Sequence, residues 1–588
     1  MSVKLKHSFQ FLVLGLFLAV WFSVLMPWDK LPDPDAFYHA TMAQLTWSQG
    51  PVTSFPWLDL TTLGSHFADQ HYLFHVLESP FVHFLGLTQG SRVSSLLFAV
   101  LSLMGITIIF YKLRLRPFWL WPLLLALSNP FSTRMVLGKA SPLVVLLWLI
   151  GLAVALTPPT PLKQEEGRHI LTSKTQNPLL FKRGQGELGL ILLVSFLFTL
   201  THGGWIILPG SILILFFGQV VYFKAIENLR LSESIKSANW SALVASALGV
   251  AVGFLLHPGR SELLSLLWIQ VIKIGLVTPQ NLLPMGTEWA AASPGALLAI
   301  TSVFGIILLL IVPGLIFARL SFRPEERRRW SGEIPYPIVE LRDSSTTSLK
   351  ASGDFARNDN MEVRFYIYLI ISWSFLIAVL VALTLKSARF SEYLQPALAI
   401  WVAALAQLVD WKKLFGWLNM GEGKLAKVIM PLIVGIALLA VLTQSVLNGY
   451  TVLHRKPEFM DDQYLSATEA ISDQAQAGDR VYHSQWDEFP VLFSRDQRLR
   501  YVAGLDPNFF YEASSTLALD YFDLSLKAAS SAQDQAWSLI HDKLGAKFAL
   551  IDTIRWPDLA KILDSDQRYQ KIGQGQGGVA YRLIVPSF

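Results

Sequence analysis

Long apolar segments separated by short polar loops are the dominant pattern along this chain. A helix needs about 20 mainly apolar residues to cross a bilayer, and eleven segments come close to that length. The segments are 8–27, 91–111, 117–131, 142–158, 188–204, 205–223, 241–257, 294–318, 364–385, 393–410 and 427–449. The run 262–276 is interrupted by Lys273 and predicts a helix at the membrane interface. The pattern predicts a polytopic α-helical membrane protein with about eleven spans.

The loops between these segments alternate in their content of Lys and Arg. Basic residues are frequent in one set, namely 111–116, 159–187, 222–237, 318–330 and 410–417. They are sparser for their length in the other set, namely 28–90, 132–141, 201–205, 258–293, 386–392 and everything after 450. The positive-inside rule places the basic set in the cytoplasm. The first apolar run has no small-residue cleavage site after it, which predicts an uncleaved first span.

The last part of the chain has a different composition and predicts a soluble α/β domain. Residues 461–477 have a helical pattern that stops at Gly478-Asp479, and 513–543 predict two further helices. The predicted strands are 480–484, 500–504, 547–553 and 578–585. We therefore divide the chain into a membrane module, an outer domain and a first outer loop, with the boundaries 1–449, 450–588 and 28–90. Two inner loops, 159–187 and 331–360, are rich in Ser, Thr, Gly and Pro and are predicted to be flexible.

Composition narrows the class of protein further. Only 15% of the residues are charged and 52% are hydrophobic, whereas soluble domains carry about 25% charged residues. The net charge of +5 is explained by the basic inner loops and does not indicate nucleic-acid binding. The chain has no Cys, which excludes disulfides, a thiol nucleophile and a cysteine metal site.

The stretch "LPDPDAFYH" at 31–39 places two carboxylates and an imidazole directly after the first span. Asp33 before Pro34 is typical of a helix N-cap. Asp35 and His39 then share one helix face. Asp35 would gain only about 0.3–1 kcal/mol from the helix dipole, which favours a chemical role for it, as a general base or a metal ligand.

A second group of polar residues occurs in "FADQHYLFHVLES" at 67–79. His71, His75 and Glu78 fall on one helix face, a spacing that allows zinc or iron but equally suits a polar face lining a cavity. Asp69 is a candidate partner of Asp35.

The positive-inside rule disfavours basic residues in outer loops, so those at the outer membrane boundary call for an explanation. The candidates are Arg134, Lys139, Arg260 and Arg389, the last beside Tyr393. They can bind a lipid-borne phosphate or extend to lipid headgroups. His202 either contacts substrate or satisfies a helix end at Gly203-Gly204.

Three stretches of the chain resemble segments of the GT-C glycosyltransferases. Residues 35–39 resemble the stretch after the first span of oligosaccharyltransferase catalytic subunits, an Asp-Pro-aromatic-aromatic-His/Asn pattern. "KSARFSEYLQPALAI" at 386–400 is similar to an Arg-x-x-Glu-Tyr-x-x-Pro pattern at the start of a late span. "MGTEW" at 285–289 is similar to the Glu-Trp of a mobile outer loop. Protein O-mannosyltransferases and lipid A aminoarabinose transferases belong to the same superfamily.

Two departures from the oligosaccharyltransferase pattern stand out. The Trp-Trp-Asp acceptor motif is absent, and the C-terminal part has only "QWDEF" at 485–489. Where those enzymes have a second acidic motif, this chain has "SNPFSTRMVLGKASP" at 128–142. The resemblance therefore implies neither transfer to asparagine sequons nor a complete metal site.

The resemblance implies a glycosyltransferase that moves a sugar from a polyprenyl-phosphate donor to a glycan, lipid or protein acceptor outside a membrane, taken as the bacterial inner membrane. The predicted catalytic residues are Asp35, Asp33 and Asp69. The predicted substrate-binding residues are His39, Arg134, Lys139, His202, Glu288, Arg389 and Tyr393. A divalent metal, Mg²⁺ or Mn²⁺, is optional, and its ligands would be Asp35, Asp69 and His71.

Two other classes of function remain open on the sequence alone. A transporter or flippase of lipid-linked saccharides would use the same cations for phosphate, although the spans lack Gly- and Pro-broken helices in two matching halves. A non-catalytic scaffold would use the outer domain to bind a partner.

Overall fold

The structure is a computed structural model that is dominated by helices. It describes residues 3–156, 185–277, 289–321, 348–411, 426–454, 460–526 and 533–585, together with 283, 284 and 286. Most of the predicted flexible loops 159–187 and 331–360 lies outside the described residues.

The first half of the described chain consists of helices joined by short loops. They are α1 Val3–Leu25, α2 Asp35–Gln49, α3 Tyr72–Leu85, α4 Leu87–Lys112, α5 Leu120–Ala126, α6 Phe131–Arg134, α7 Ser141–Leu156, α8 Gln185–Thr201, α9 Ile207–Ala225, α10 Leu231–Ser237, α11 Trp240–Leu256 and α12 Arg260–Leu267. A π-helix, Trp268–Val277, continues α12.

Helices continue into the C-terminal part, where five strands join them. The helices are α13 Pro294–Ser321, α14 Ser348–Lys386, α15 Ser391–Gln407, α16 Ala426–His454, α17 Leu465–Ser472, α18 Phe489–Arg495, α19 Pro507–Ala513, α20 Ser515–Leu526, α21 Gln533–Trp537 and α22 Pro557–Asp564. The strands are β1 Arg480–His483, β2 Arg500–Tyr501, β3 Phe548–Asp552, β4 Tyr569–Gly575 and β5 Gly578–Leu583.

Six of the described helices are long and apolar enough to cross a membrane. The segments are Leu5–Leu25, Leu87–Lys112, Ile207–Ala225, Pro294–Leu315, Glu362–Lys386 and Gly435–His454. A seventh candidate is the pair of α10 and α11, which is bent by 49° at a short break. The predicted count of eleven is therefore not confirmed, although most of the predicted segments are helical.

The prediction of a spanning helix at 117–131 is wrong in its form. The structure has the 7-residue α5 there, followed by a break before α6. Pro117 and Pro130 bracket the segment, and proline lacks the N–H that a continuous helix needs while it restricts the residue before it. Apolar composition alone therefore overestimated the helix length.

The strands form one five-stranded mixed sheet in the order β2-β1-β3-β5-β4. The strands β2, β1 and β3 are parallel, and β3, β5 and β4 are antiparallel. The four predicted strands are present, and β4 is an addition. Its sequence "YQKIGQG" is mostly solvent-exposed at the sheet edge, so it lacks the apolar alternation that marks a half-buried strand.

The C-terminal part packs directly on the first outer loop. Buried aromatic side chains of both parts share one core, in which Phe55 contacts Phe489 and Phe493 while Tyr38 of α2 also contacts Phe493. This seam of aromatic side chains lies against the helix that carries Asp35. The division at 449/450 stays a prediction, since the two parts bury apolar surface against each other.

Polar contacts hold the same interface at its edges. Arg480 and Arg500 both donate to Oδ2 of Asp59, each over 2.8 Å. The indole N–H of Trp57 donates to the carbonyl of Gln497 over 2.7 Å. These contacts position the first outer loop from its outer side.

The predicted orientation can be tested with two tags. We expect a tag inserted at residue 345 to lie inside and a tag at residue 588 to lie outside, because basic loops stay in the cytoplasm and the span count is odd. Labelling of intact cells with a membrane-impermeant reagent measures both positions. Two tags on the same side would mean an even number of spans between residues 345 and 588. The prediction that the site lies on the outer face would then be wrong.

Candidate active site

The site begins where the first apolar helix ends and α2 starts. Asp33 lies in the turn before α2, and its Oδ1 accepts a hydrogen bond from the backbone N–H of Asp35 over 2.9 Å. This is the capping contact that the Asp-Pro pair predicts. The first turn of α2 therefore holds the Asp35 carboxylate next to that of Asp33.

Lys139 joins the two carboxylates. Its ammonium nitrogen lies 2.8 Å from Oδ2 of Asp35 and 3.1 Å from Oδ1 of Asp33. The approach depends on Gly138, which has a φ of +72°. A Cβ atom there would lie 2.6 Å from the Cβ of Ala36. Glycine thus lets the loop after α6 reach the start of α2 and deliver Lys139.

A chain of hydrogen bonds runs behind this ion pair. Oδ2 of Asp69 lies 2.7 Å from Nδ1 of His75, and Nε2 of His75 lies 2.8 Å from Nδ1 of His39. A carboxylate accepts hydrogen bonds, so Nδ1 of His75 carries the proton. The second contact joins Nε2 of His75 to Nδ1 of His39, and either ring nitrogen can be its donor.

Burial disfavours the charged form of two histidines at this site, His39 and His71. Burial, with the nearby His71 and His75, lowers the pKa of His39 well below its usual range. Burial and His75 also lower the pKa of His71 to about 3. Burial by itself raises the pKa of Asp69, but the adjacent His75 and the N–H of His71 outweigh it and hold that pKa below its ordinary value. Asp69 is thus an ionised, buried group that orients His75.

His71 and His202 extend the cluster toward the end of α8. Nδ1 of His71 donates to the carbonyl of Thr201 over 3.1 Å. The His71 ring lies 5.0 Å from that of His39 and 5.4 Å from that of His202. Nδ1 of His202 accepts from the N–H of Gly204 over 2.8 Å in the turn that follows α8, while its ring faces the cluster.

Arg389 reaches the same region from the start of α15. Its guanidinium carbon lies 5.0 Å from the centre of the Trp289 ring, and its charge acts on His71. The N–H of Ala388 donates to the carbonyl of Ala290 over 2.9 Å, which fixes the two segments together. Glu288 lies outside the described residues.

Two other predicted binding residues are more deeply enclosed. Nε of Arg134 donates to Oε2 of Glu392 over 2.7 Å, and the Ser141 hydroxyl donates to the same oxygen over 3.1 Å. Tyr393 is buried against Trp148, with ring centres 5.2 Å apart. Arg134 therefore carries a charge that is already paired, and its role toward substrate stays a prediction.

The structure does not assemble the ligand set predicted for a metal. Within the part of the chain that it describes, no group of three or more His, Asp and Glu side chains could hold a metal ion. Both ring nitrogens of His75 are hydrogen-bonded, to Asp69 and to His39. Between the carboxylates of Asp33 and Asp35, the ammonium of Lys139 occupies the place where a cation would bind. These residues do not fit a divalent metal.

Glu78 lies one turn after His75, and its burial predicts that the stability of the protein depends on pH. Burial raises its pKa from 4.5 to about 7, so the folded protein retains a proton that the unfolded chain loses near pH 4.5. Stability from this group is present below about pH 4.5 and is lost as the pH rises through 7. Between pH 5 and 8, we expect the wild type to lose on the order of 3 kcal/mol of unfolding free energy relative to Glu78→Gln. This loss is measured as a fall in the melting temperature of the wild type relative to that of the variant.

The matched control is Glu469→Gln, at an exposed position of α17. Its melting temperature is expected to follow that of the wild type across this range. Parallel melting curves for the wild type and Glu78→Gln would show that Glu78 is ionised in the folded protein.

Sequence reasoning did not predict the contacts of two residues of the site. His75 is the centre of the hydrogen-bond chain, and its spacing from His71 on one helix turn was the available signal. Trp289 stacks on Arg389. The sequence singled out this tryptophan in "MGTEW" but did not show that it contacts Arg389. Neither contact could be derived from local spacing, because each joins distant segments.

Comparison with known proteins defines the class of fold. Neither a family model nor a curated protein matches the sequence. The Archaeoglobus fulgidus oligosaccharyltransferase in the apo form is similar at a TM-score of 0.56 and 13% identity, over 99% of this chain and 75% of that one. The same organism's oligosaccharyltransferase AglB, in complex with an inhibitory peptide and a dolichol-phosphate, gives 0.53 and 13%, over 100% and 75%.

ArnT from Cupriavidus metallidurans bound to undecaprenyl phosphate is similar over nearly the whole of both chains. The TM-score is 0.50 and the identity 12%, over 99% of this chain and 98% of that one. Together with the apolar helices, these likenesses show an integral membrane protein. Its fold is the one that the oligosaccharyltransferase and ArnT structures share with this chain, as the motifs at 35–39 and 386–400 implied.

Proposed function

We propose that this protein is a glycosyltransferase that moves a sugar from a polyprenyl-phosphate donor to an acceptor hydroxyl on the outer face of the membrane. One observation carries the proposal. The Asp35 carboxylate, held by Lys139, lies at the start of α2 beside a cluster of neutral histidines that Arg389 also reaches. A carboxylate next to cationic and hydrogen-bonding groups suits proton removal together with departure of a phosphate.

The proposed reaction is a single displacement. The acceptor oxygen forms a bond to the anomeric carbon and loses its proton to the Asp35 carboxylate. The bond between the anomeric carbon and the phosphate oxygen breaks, and its electron pair leaves with the polyprenyl phosphate. The nucleophile enters opposite the leaving group, so the configuration at that carbon is inverted.

The charge that grows on the leaving phosphate requires positive groups or donors. Arg389 offers a planar fork of donors that matches a phosphate, and stacking on Trp289 fixes the plane of that fork. Lys139 supplies a second positive charge beside Asp35. His71, whose pKa burial lowers, donates through Nδ1 to the carbonyl of Thr201, so its neutral ring presents an acceptor at Nε2, which suits a hydroxyl group rather than the phosphate.

The docking of the C-terminal part supports a proposal for the location of the acceptor. This part packs against α2 through the aromatic seam around Phe55 and Phe493. We place it on the outer side of a bacterial inner membrane, where it borders the site and helps to bind the acceptor.

Transfer of a labelled sugar by the purified protein tests the proposal. A panel of polyprenyl-phosphate sugars is first screened for thermal stabilisation, since binding to the folded state raises its stability. Donors that stabilise are then incubated with glycan, lipid and peptide acceptors. If the protein moved a lipid-linked saccharide across a vesicle membrane but transferred no sugar to an acceptor, it would be a flippase and not a transferase.

A further inference from the structure

The ammonium of Lys139 lies between two carboxylates that belong to the same helix start. Its nitrogen is 2.8 Å from Asp35 and 3.1 Å from Asp33. The three side chains are mostly enclosed, with exposed fractions of 14% for Lys139, 22% for Asp33 and 31% for Asp35. A cation held by two convergent carboxylates at this depth is a defined local arrangement, unlike a pair of mobile surface chains.

Two neighbouring carboxylates at a phosphate site are also the usual ligands of Mg²⁺ and Mn²⁺. A divalent ion beside Asp33 and Asp35 would meet the positive charge of Lys139 at close range and would have to displace it. Gly138 indicates that the chain is built for this approach, because any side chain there would collide with Ala36. Lys139 lies in the loop 128–142. The oligosaccharyltransferases that this sequence resembles have an acidic motif in the corresponding loop.

We propose that Lys139 is an internal counter-cation for Asp33 and Asp35 that takes the place of a divalent metal, so that the protein acts without one. This inference rests on the proposed transferase function for its role in the reaction, but not for the binding measurement. Lys139 acts as a positioning residue. It fixes the Asp35 carboxylate for the acceptor and offsets one of the two negative charges beside the incoming phosphate.

The first test measures Mn²⁺ binding by electron paramagnetic resonance on the full-length protein in detergent, after treatment with a chelator. The variants are Lys139→Gln, which removes the charge, and Lys139→Asp, which adds a third carboxylate. The control is Lys543→Gln, which removes an exposed lysine paired with Asp520. We expect no binding in the wild type or the control, weak binding in Lys139→Gln and tighter binding in Lys139→Asp.

The second test measures transfer with chelator and with added Mn²⁺. We expect the wild type to be unaffected by the chelator. Lys139→Gln should lose about 10²-fold in rate, the scale of a misplaced catalytic group, and should recover in part with Mn²⁺. A structural role alone would give a loss that Mn²⁺ does not reverse, and that result would overturn the proposal.

Binding of Mn²⁺ by the wild type that disappears in Asp33→Asn/Asp35→Asn would also overturn it, as would the absence of binding in both Lys139 variants. Failure of the transferase function is a separate result. If no donor and acceptor give transfer under any condition, the proposed function falls, while the order of Mn²⁺ affinities still decides the role of Lys139.

Discussion

Transfer by the Asp35→Asn variant is expected to fall by about 10²–10⁴ in rate, the range that loss of a general base produces. The amide keeps the shape of the side chain and can stay near Lys139, but it cannot accept the acceptor's proton. A weakened contact with the helix dipole would cost about 1 kcal/mol at most, far too little for such a loss. The measurement is transfer from a polyprenyl-phosphate sugar by purified protein with unchanged melting behaviour.

The matched control for this variant is Asp33→Asn. Asparagine caps a helix about as well as aspartate, so the contact with the N–H of Asp35 is retained. Only the 3.1 Å ion pair with Lys139 is lost, and we expect a fall of about fivefold or less, the size of a partly exposed pair. Full activity in Asp35→Asn would exclude Asp35 as the base. A large loss in Asp33→Asn alone would assign that role to Asp33.

Donor affinity is expected to drop about 10–100-fold in Arg389→Ala. A hydrogen bond to a charged group contributes about 1.5–3 kcal/mol, and Arg389 is the cation whose fork faces the proposed phosphate site. Arg389→Lys keeps the charge but loses the planar fork and its stacking on Trp289, so we expect an intermediate affinity. Titration with a non-transferable polyprenyl-phosphate analogue measures these affinities without turnover.

The control uses a second stacked arginine in the same chain. The guanidinium carbon of Arg568 lies 5.0 Å from the ring centre of Trp537, the same distance as in the Arg389–Trp289 pair. Arg568→Lys therefore removes an equivalent stack in the C-terminal part, and donor affinity should not change. Unchanged affinity in both Arg389 variants would instead make Arg389 an anchor to lipid headgroups.

Local spacing predicted those parts of the site that lie on one helix turn. The Asp-Pro pair predicted the start of α2, which carries both Asp35 and His39. Gly203-Gly204 predicted the end of α8, which is followed by the turn that His202 contacts. In each case the partners are close in sequence, so that backbone geometry alone brings them together.

Contacts between distant segments could not be predicted in the same way. The ion pair of Lys139 with Asp35 requires the loop after α6 to meet α2, and the sequence indicated for Lys139 only a contact with a phosphate or with lipid headgroups. The hydrogen bond between His75 and His39 depends on how α2 packs against α3. Residues 117–131 were misjudged because apolar content outweighed the prolines, and β4 was missed because an exposed edge strand needs no apolar face.

The interface between the first outer loop and the C-terminal sheet has a consequence for how the protein is made. Trp57 and the carbonyl that it contacts, that of Gln497, are separated by 440 residues, and ribosomes add only about 5–20 residues per second. The loop with Asp35 is thus synthesised well before the sheet that braces it exists. A nascent chain stopped before the sheet carries the Asp35 carboxylate on a loop without that support. Under the proposed function, transfer therefore begins only after the sheet has been synthesised and has packed on the loop.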